Sequence, residues 1–98
     1  MLSTIPIDLK EINKDDIDKE ILRTGVIAEL DAINLYEQMA ALTKNEAIRD
    51  SLLDVAKEEK THVGEFQSLL LSLDQEQADE LEHGKREIEE LAVKKLGI

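Results

Sequence analysis

Residues 46–73 read EAIRDSLLDVAKEEKTHVGEFQSLLLSL. Alternate steps of four and three through this stretch pick out Ile48, Leu52, Val55, Glu59, His62, Phe66, Leu69 and Leu73, the spacing of one face of an α-helix. All are apolar except Glu59 and His62, which are neighbours in the middle of the stripe. A lone carboxylate in an apolar seam costs on the order of several kcal/mol unless it is paired, protonated or bound to a metal. The interruption therefore marks a candidate site.

The preceding segment repeats the pattern. Leu22, Gly25, Glu29, Ala32, Tyr36 and Met39 share one helix face, Ile33 and Ala40 widen it, and Glu29 is its single charge. The link Thr43-Lys44-Asn45-Glu46 is short, and Asn45 is suited to cap the second helix. So short a loop makes the two helices antiparallel neighbours. Glu29, Glu59 and His62 lie near the helix midpoints, and midpoints of an antiparallel pair meet. Residues three apart face the same side, so Glu59 and His62 can hold one metal, with Glu29 facing them.

Outward from this hairpin, residues 1–14 read as an extended arm containing Pro6, 15–43 as helix one, 45–73 as helix two and 75–95 as helix three. Asp15 or Asp16 is placed to cap the first helix. Asp74 is placed to cap the third, with Gln77 completing a pattern like a capping box. Gly84 is a weak point in helix three, whose thin stripe of Ala78, Leu81, Ile88 and Leu91 suits packing on a partner or a neighbouring subunit. Gly25 and Gly64 read as points of close helix approach, Met39 as core, and His83 and Glu65 as solvated. The fold class is all-α: a two-helix hairpin plus a C-terminal helix in a single domain.

Composition narrows the chemistry. The chain has 98 residues and no Cys, which excludes disulfides and thiolate metal sites and leaves carboxylates and His as metal ligands. That donor set suits iron, manganese or zinc. The net charge of −11 disfavours nucleic acid and anionic membrane as partners and favours cations; it also fits a plainly soluble acidic surface. The longest apolar run, Leu69 to Leu71, is far too short to span a membrane. No basic segment followed by an apolar core marks a secretion signal, so the expected location is cytoplasmic.

Ligand counting points to a dimer. Di-iron carboxylate bundles use a Glu from each of two helices and a Glu-x-x-His from each of the other two. Glu29 and Glu59-Lys60-Thr61-His62 supply half of that set. Two copies related by a two-fold axis supply all of it, and their four Glu carboxylates balance two divalent cations.

The segment Ala28-Glu29-Leu30-Asp31-Ala32-Ile33-Asn34-Leu35-Tyr36-Glu37, followed after one short loop by Glu58-Glu59-Lys60-Thr61-His62, resembles the ferritin-like superfamily, rubrerythrins included. It is more similar to the encapsulated ferritins, the two-helix half-ferritins associated with encapsulin nanocompartments. The resemblance covers roughly residues 16–73. It implies a dimer forming a ferritin-like four-helix bundle, with dimers assembled into a decameric ring. It implies a ferroxidase that oxidises Fe(II) to Fe(III) at a di-iron centre between two subunits. Glu29, Glu59 and His62 match the family's iron ligands, Tyr36 matches a tyrosine beside the centre, and Asp31 and Glu58 fall where acidic residues line a path for incoming iron. Ala28 and Leu35 depart from the pattern along that path. The partner implied is an encapsulin shell protein, reached by fusion or as cargo, which would store the oxidised iron as mineral.

The tail 91–98, LAVKKLGI, faintly resembles a targeting peptide. It reads better as a helix end, with Gly97 in the cap and Lys94 and Lys95 favoured by the helix dipole. Other readings are a passive divalent-metal-binding module, an acidic helical assembly module, and a rubrerythrin-type peroxidase fragment. The last would lack its rubredoxin centre, since that needs Cys.

Overall fold

The computed structural model describes residues 16–97, and the expected arm at 1–14 lies outside them. Three helices follow one another: α1 (Ile17–Leu42), α2 (Glu46–Leu73) and α3 (Gln75–Leu96). No described residue lies in a strand. The chain is all-α, as expected.

Local chemistry sets the ends of these helices. Asn45 has extended backbone angles, and its side-chain oxygen accepts a hydrogen bond from the Ile48 N–H at 3.1 Å, which satisfies one orphan donor of the first turn. Asp74 does the same for α3, accepting from the Gln77 N–H at 3.0 Å. Of the two expected caps of α1, Asp15 lies outside the described residues and Asp16 departs from expectation. It stands at the N-cap position of α1 with φ −105° and ψ −3° and makes no side-chain capping bond, because its backbone is already helical where capping needs an extended residue. Gly97 closes α3 with φ 68°, its N–H bonded to the Val93 carbonyl at 3.0 Å. The tail therefore ends as a capped helix.

α1 and α2 pack antiparallel along their length, and Ile33, Ala40, Ala56 and Leu70 are the buried apolar residues of the seam. Gly25 meets the ring of Phe66 here: a Cβ added to Gly25 would lie 3.2 Å from Phe66 Cδ2. Gly64 differs from expectation, since it faces open space, being well around α2 from the seam. Gly84 does not interrupt α3. On the flank of the hairpin, the Lys60 ammonium pairs with Glu37 at 2.9 Å.

α3 leaves the hairpin at Asp74, the one residue between α2 and α3. The described chain is accordingly flat and angular, 48 × 46 × 20 Å. No residue of α3 is buried, and Leu81, Ile88, Leu91, Val93 and Leu96 are exposed. His83 is also exposed, between Glu80 at 3.3 Å and Glu87 at 3.0 Å.

Arg23 of α1 fastens the elbow. It donates to Asp74 at 2.8 Å, beside a groove of about 330 Å³ lined by Val26, Ile27, Leu70 and Leu81. The Gln77 N–H, more than any other group, holds the Asp74 carboxyl below its ordinary value of 3.8; partial burial opposes this, and Arg23 and Lys19 reinforce it. A folded-state pKa below the unfolded one contributes stability that is complete above the unfolded value and is lost as pH falls through the folded value. The stability difference between wild type and Asp74→Asn should therefore be flat from neutral pH to about pH 5 and shrink below about pH 4. Denaturant titrations of both proteins across that range measure it.

Candidate metal centre

Helix geometry brings together the three stripe residues of the sequence. Glu29 is at mid-length in α1, and Glu59 and His62 lie one turn apart at mid-length in α2. His62 Nδ1 is 3.6 Å from Glu29 Oε2 and 3.6 Å from Glu59 Oε2. One ligand atom of each residue lies within 4.8 Å of those of the other two, and no other group of three His, Asp or Glu donors converges this way among the described residues.

These contacts are too long to be hydrogen bonds. Glu29 Oε2 is buried and has no hydrogen-bond partner, an arrangement that native proteins reserve for few groups. The Glu29 and Glu59 side chains are each 19% exposed, and that of His62 is 43% exposed. The cluster is thus closed towards the hairpin seam and open on one side.

The donors fit a divalent cation. Metal–donor bonds of about 2.0–2.2 Å put two donors of one ion roughly 3.0–3.5 Å apart, so small side-chain movements would seat one ion among all three. Carboxylates and an imidazole are the donors expected for iron, manganese or zinc. Three donors leave positions open, and His62 faces the side where further ligands can come.

The other candidate residues lie elsewhere. Tyr36 shares the Glu29 face of α1, two turns further on, and is partly buried. Asp31 follows Glu29 by two residues, which turns it roughly 200° around α1, and it is buried at 9% exposure. Glu58 is exposed. Neither acid joins the cluster within one chain. Glu65 is exposed and Met39 only partly buried. The sequence reading missed the Arg23–Asp74 pair, whose partners are 51 positions apart and carry no periodic signal.

A family model described as Rubrerythrin matches residues 20–95, spanning the hairpin, the cluster and most of α3. The chain belongs to the rubrerythrin family. Within that family its likeness is to encapsulated ferritins. The crystal structure of an encapsulated ferritin domain from Pyrococcus furiosus superimposes with a TM-score of 0.78 at 50% identity, covering 100% of this chain and 98% of that one. A ferritin-like–encapsulin shell fusion protein of Pyrococcus furiosus is 58% identical over 82 residues, 84% of this chain. The encapsulin nanocompartment cargo protein EncC of Myxococcus xanthus is 41% identical over 68 residues, 69% of this chain. The matches cover 24% of the length of the fusion protein and 50% of that of the cargo protein. No helix among the described residues is long and apolar enough to cross a membrane.

Proposed function

We propose that this rubrerythrin-family chain is a ferroxidase whose di-iron centre forms where two copies pair. The observation that carries this reading is the Glu29–Glu59–His62 cluster, with a buried Glu29 oxygen that has no hydrogen-bond partner. One chain supplies one Glu and one Glu-x-x-His, half of a di-iron ligand set. The cluster opens sideways onto a face where Ile21, Ile48, Leu69 and Leu73 are exposed. A second copy laid against that face would cover these residues, complete a four-helix bundle and bring a second cluster beside the first.

In this reading Fe(II) is the substrate. Two Fe(II) give up one electron each, and dioxygen takes both with two protons to become peroxide; peroxide takes two more of each to become water. Glu29 and Glu59 hold negative charge where positive charge grows, and hard carboxylate donors favour Fe(III) over Fe(II). His62 offers a neutral nitrogen lone pair from Nδ1, which leaves the charge of the site to the carboxylates. The unfilled positions admit oxidant and water. Tyr36, two turns further along the same face, would in this reading hydrogen-bond a ligand of the centre.

The names of the relatives support a biological setting for this reading. Proteins called an encapsulin shell fusion and an encapsulin cargo support a chain that works inside an encapsulin nanocompartment in the cytoplasm and feeds oxidised iron to its interior, as a fusion or as cargo. Asp31 and Glu58 would serve incoming iron only in the paired form. The exposed stripe of α3 is free to pack on a neighbouring copy, as a decameric ring would require.

Aerobic Fe(II) titration tests the proposal. Wild type should show an oxidation-linked absorbance rise at about two irons per pair of chains, and Glu59→Ala and His62→Ala should lose it. Unchanged oxidation in both variants would remove the site. Binding without oxidation would favour the passive metal module.

A further inference from the structure

We infer that Gly25 and Phe66 form a spacer that sets the Glu29–His62 separation. This inference rests on the metal-centre reading for its functional consequence. The geometry is a ladder. Glu29 follows Gly25 by four residues in α1, and His62 precedes Phe66 by four in α2. In an antiparallel pair these are successive rungs about one helical turn apart.

At the first rung the fit leaves no slack. A Cβ on residue 25 would stand 3.2, 3.3 and 3.4 Å from three atoms of the Phe66 ring, closer than the roughly 3.5–4.0 Å at which carbon atoms settle. Glycine thus lets α1 lie directly on the flat ring. The ring in turn keeps α2 from coming closer. At the next rung Glu29 Oε2 and His62 Nδ1 stand 3.6 Å apart. A displacement of a few tenths of an ångström at the spacer is a sizeable fraction of the tolerance within which ligands share one ion. Gly25 and Phe66 are therefore positioning residues: neither carries a donor for the metal, and both act through the helix axes.

Gly25→Ala tests the spacer, and its expected effects have opposite signs. Alanine is the better helix former, so helix content by circular dichroism should hold or rise. In the crystal structure of the metal-free variant, the Glu29–His62 separation should lengthen beyond 3.6 Å. Affinity for Co(II), a probe read by its d–d absorption, should fall about tenfold or more, the scale seen when groups that orient metal ligands are altered. Adding Phe66→Leu to Gly25→Ala should relieve the contact and restore both separation and affinity.

The metal-free separation decides the spacer independently of any metal. An unchanged separation in Gly25→Ala, or a lengthened one that Phe66→Leu does not reverse, would overturn the inference. The metal reading fails separately, if Co(II) binding survives in Glu59→Ala and His62→Ala.

Discussion

Glu29→Met should make the metal-free protein more stable and the metal-loaded protein inactive. The buried Glu29 oxygen has no hydrogen-bond partner, and leaving such a group unsatisfied costs about 1–3 kcal/mol. The side chain is 19% exposed, so water screens part of that penalty and the lower half of the range applies. Methionine fills a similar length, favours helix and needs no partner. It also removes a negative charge facing the Glu59 carboxylate. The expected gain is about 1–2 kcal/mol without metal, a rise of about 5–10 °C in Tm for a chain of this size. Fe(II) oxidation should fall at least about a hundredfold, as for loss of a group acting directly at the reacting centre. Stability and activity then move in opposite directions, the pattern of a strained functional residue. A Glu29 that served only the fold would give the reverse, with stability falling and oxidation intact.

The second large effect is on assembly. The hairpin that carries the three ionisable donors also exposes Ile21, Ile48, Leu69 and Leu73 along its length. In a metal-free pair the buried carboxylates of two copies would repel each other across the new interface. On the proposed reading, divalent cations would remove that repulsion and bind the paired, folded form in preference to separate chains. Free metal at a hundred times its Kd stabilises such a form by about 2.7 kcal/mol, or roughly 10–20 °C in Tm. Sedimentation of the wild type should show pairing that Co(II) promotes and a chelator weakens, and His62→Ala should lose the response. A monomer unchanged by metal would contradict the account.

How far the sequence reaches can be read from particular residues. Glu59 and His62 were legible because helical periodicity fixes which side chains share a face, and two charges in an apolar stripe are conspicuous. Glu29 was legible in the same way, as the single charge in the stripe of the first helix, and the short Thr43–Asn45 link, by making the helices antiparallel neighbours, set it opposite the other two. The caps at Asn45 and Asp74 were legible for the same local reason: a short polar side chain just before a helix can reach the N–H three residues on. Asp16 was not, because capping depends on backbone angles that its sequence neighbours do not fix. The burial of Asp31 was hidden as well, since periodicity says which residues face alike and nothing about what covers each face. Gly25 was suspected of close approach, but its partner Phe66 follows only from the helix register. The elbow held by Arg23 and Asp74 depends on the angle of α3, and no repeat in the chain encodes it.

Anomalous scattering from crystals grown with Fe(II) under anaerobic conditions tests the central claim most directly. The account predicts two strong iron peaks between each pair of chains, each bounded by Glu29, Glu59 and His62 donors, with both copies contributing to the centre. Iron absent from this cluster, or a Glu29 carboxylate turned into bulk water away from the His62 of either copy, would contradict it.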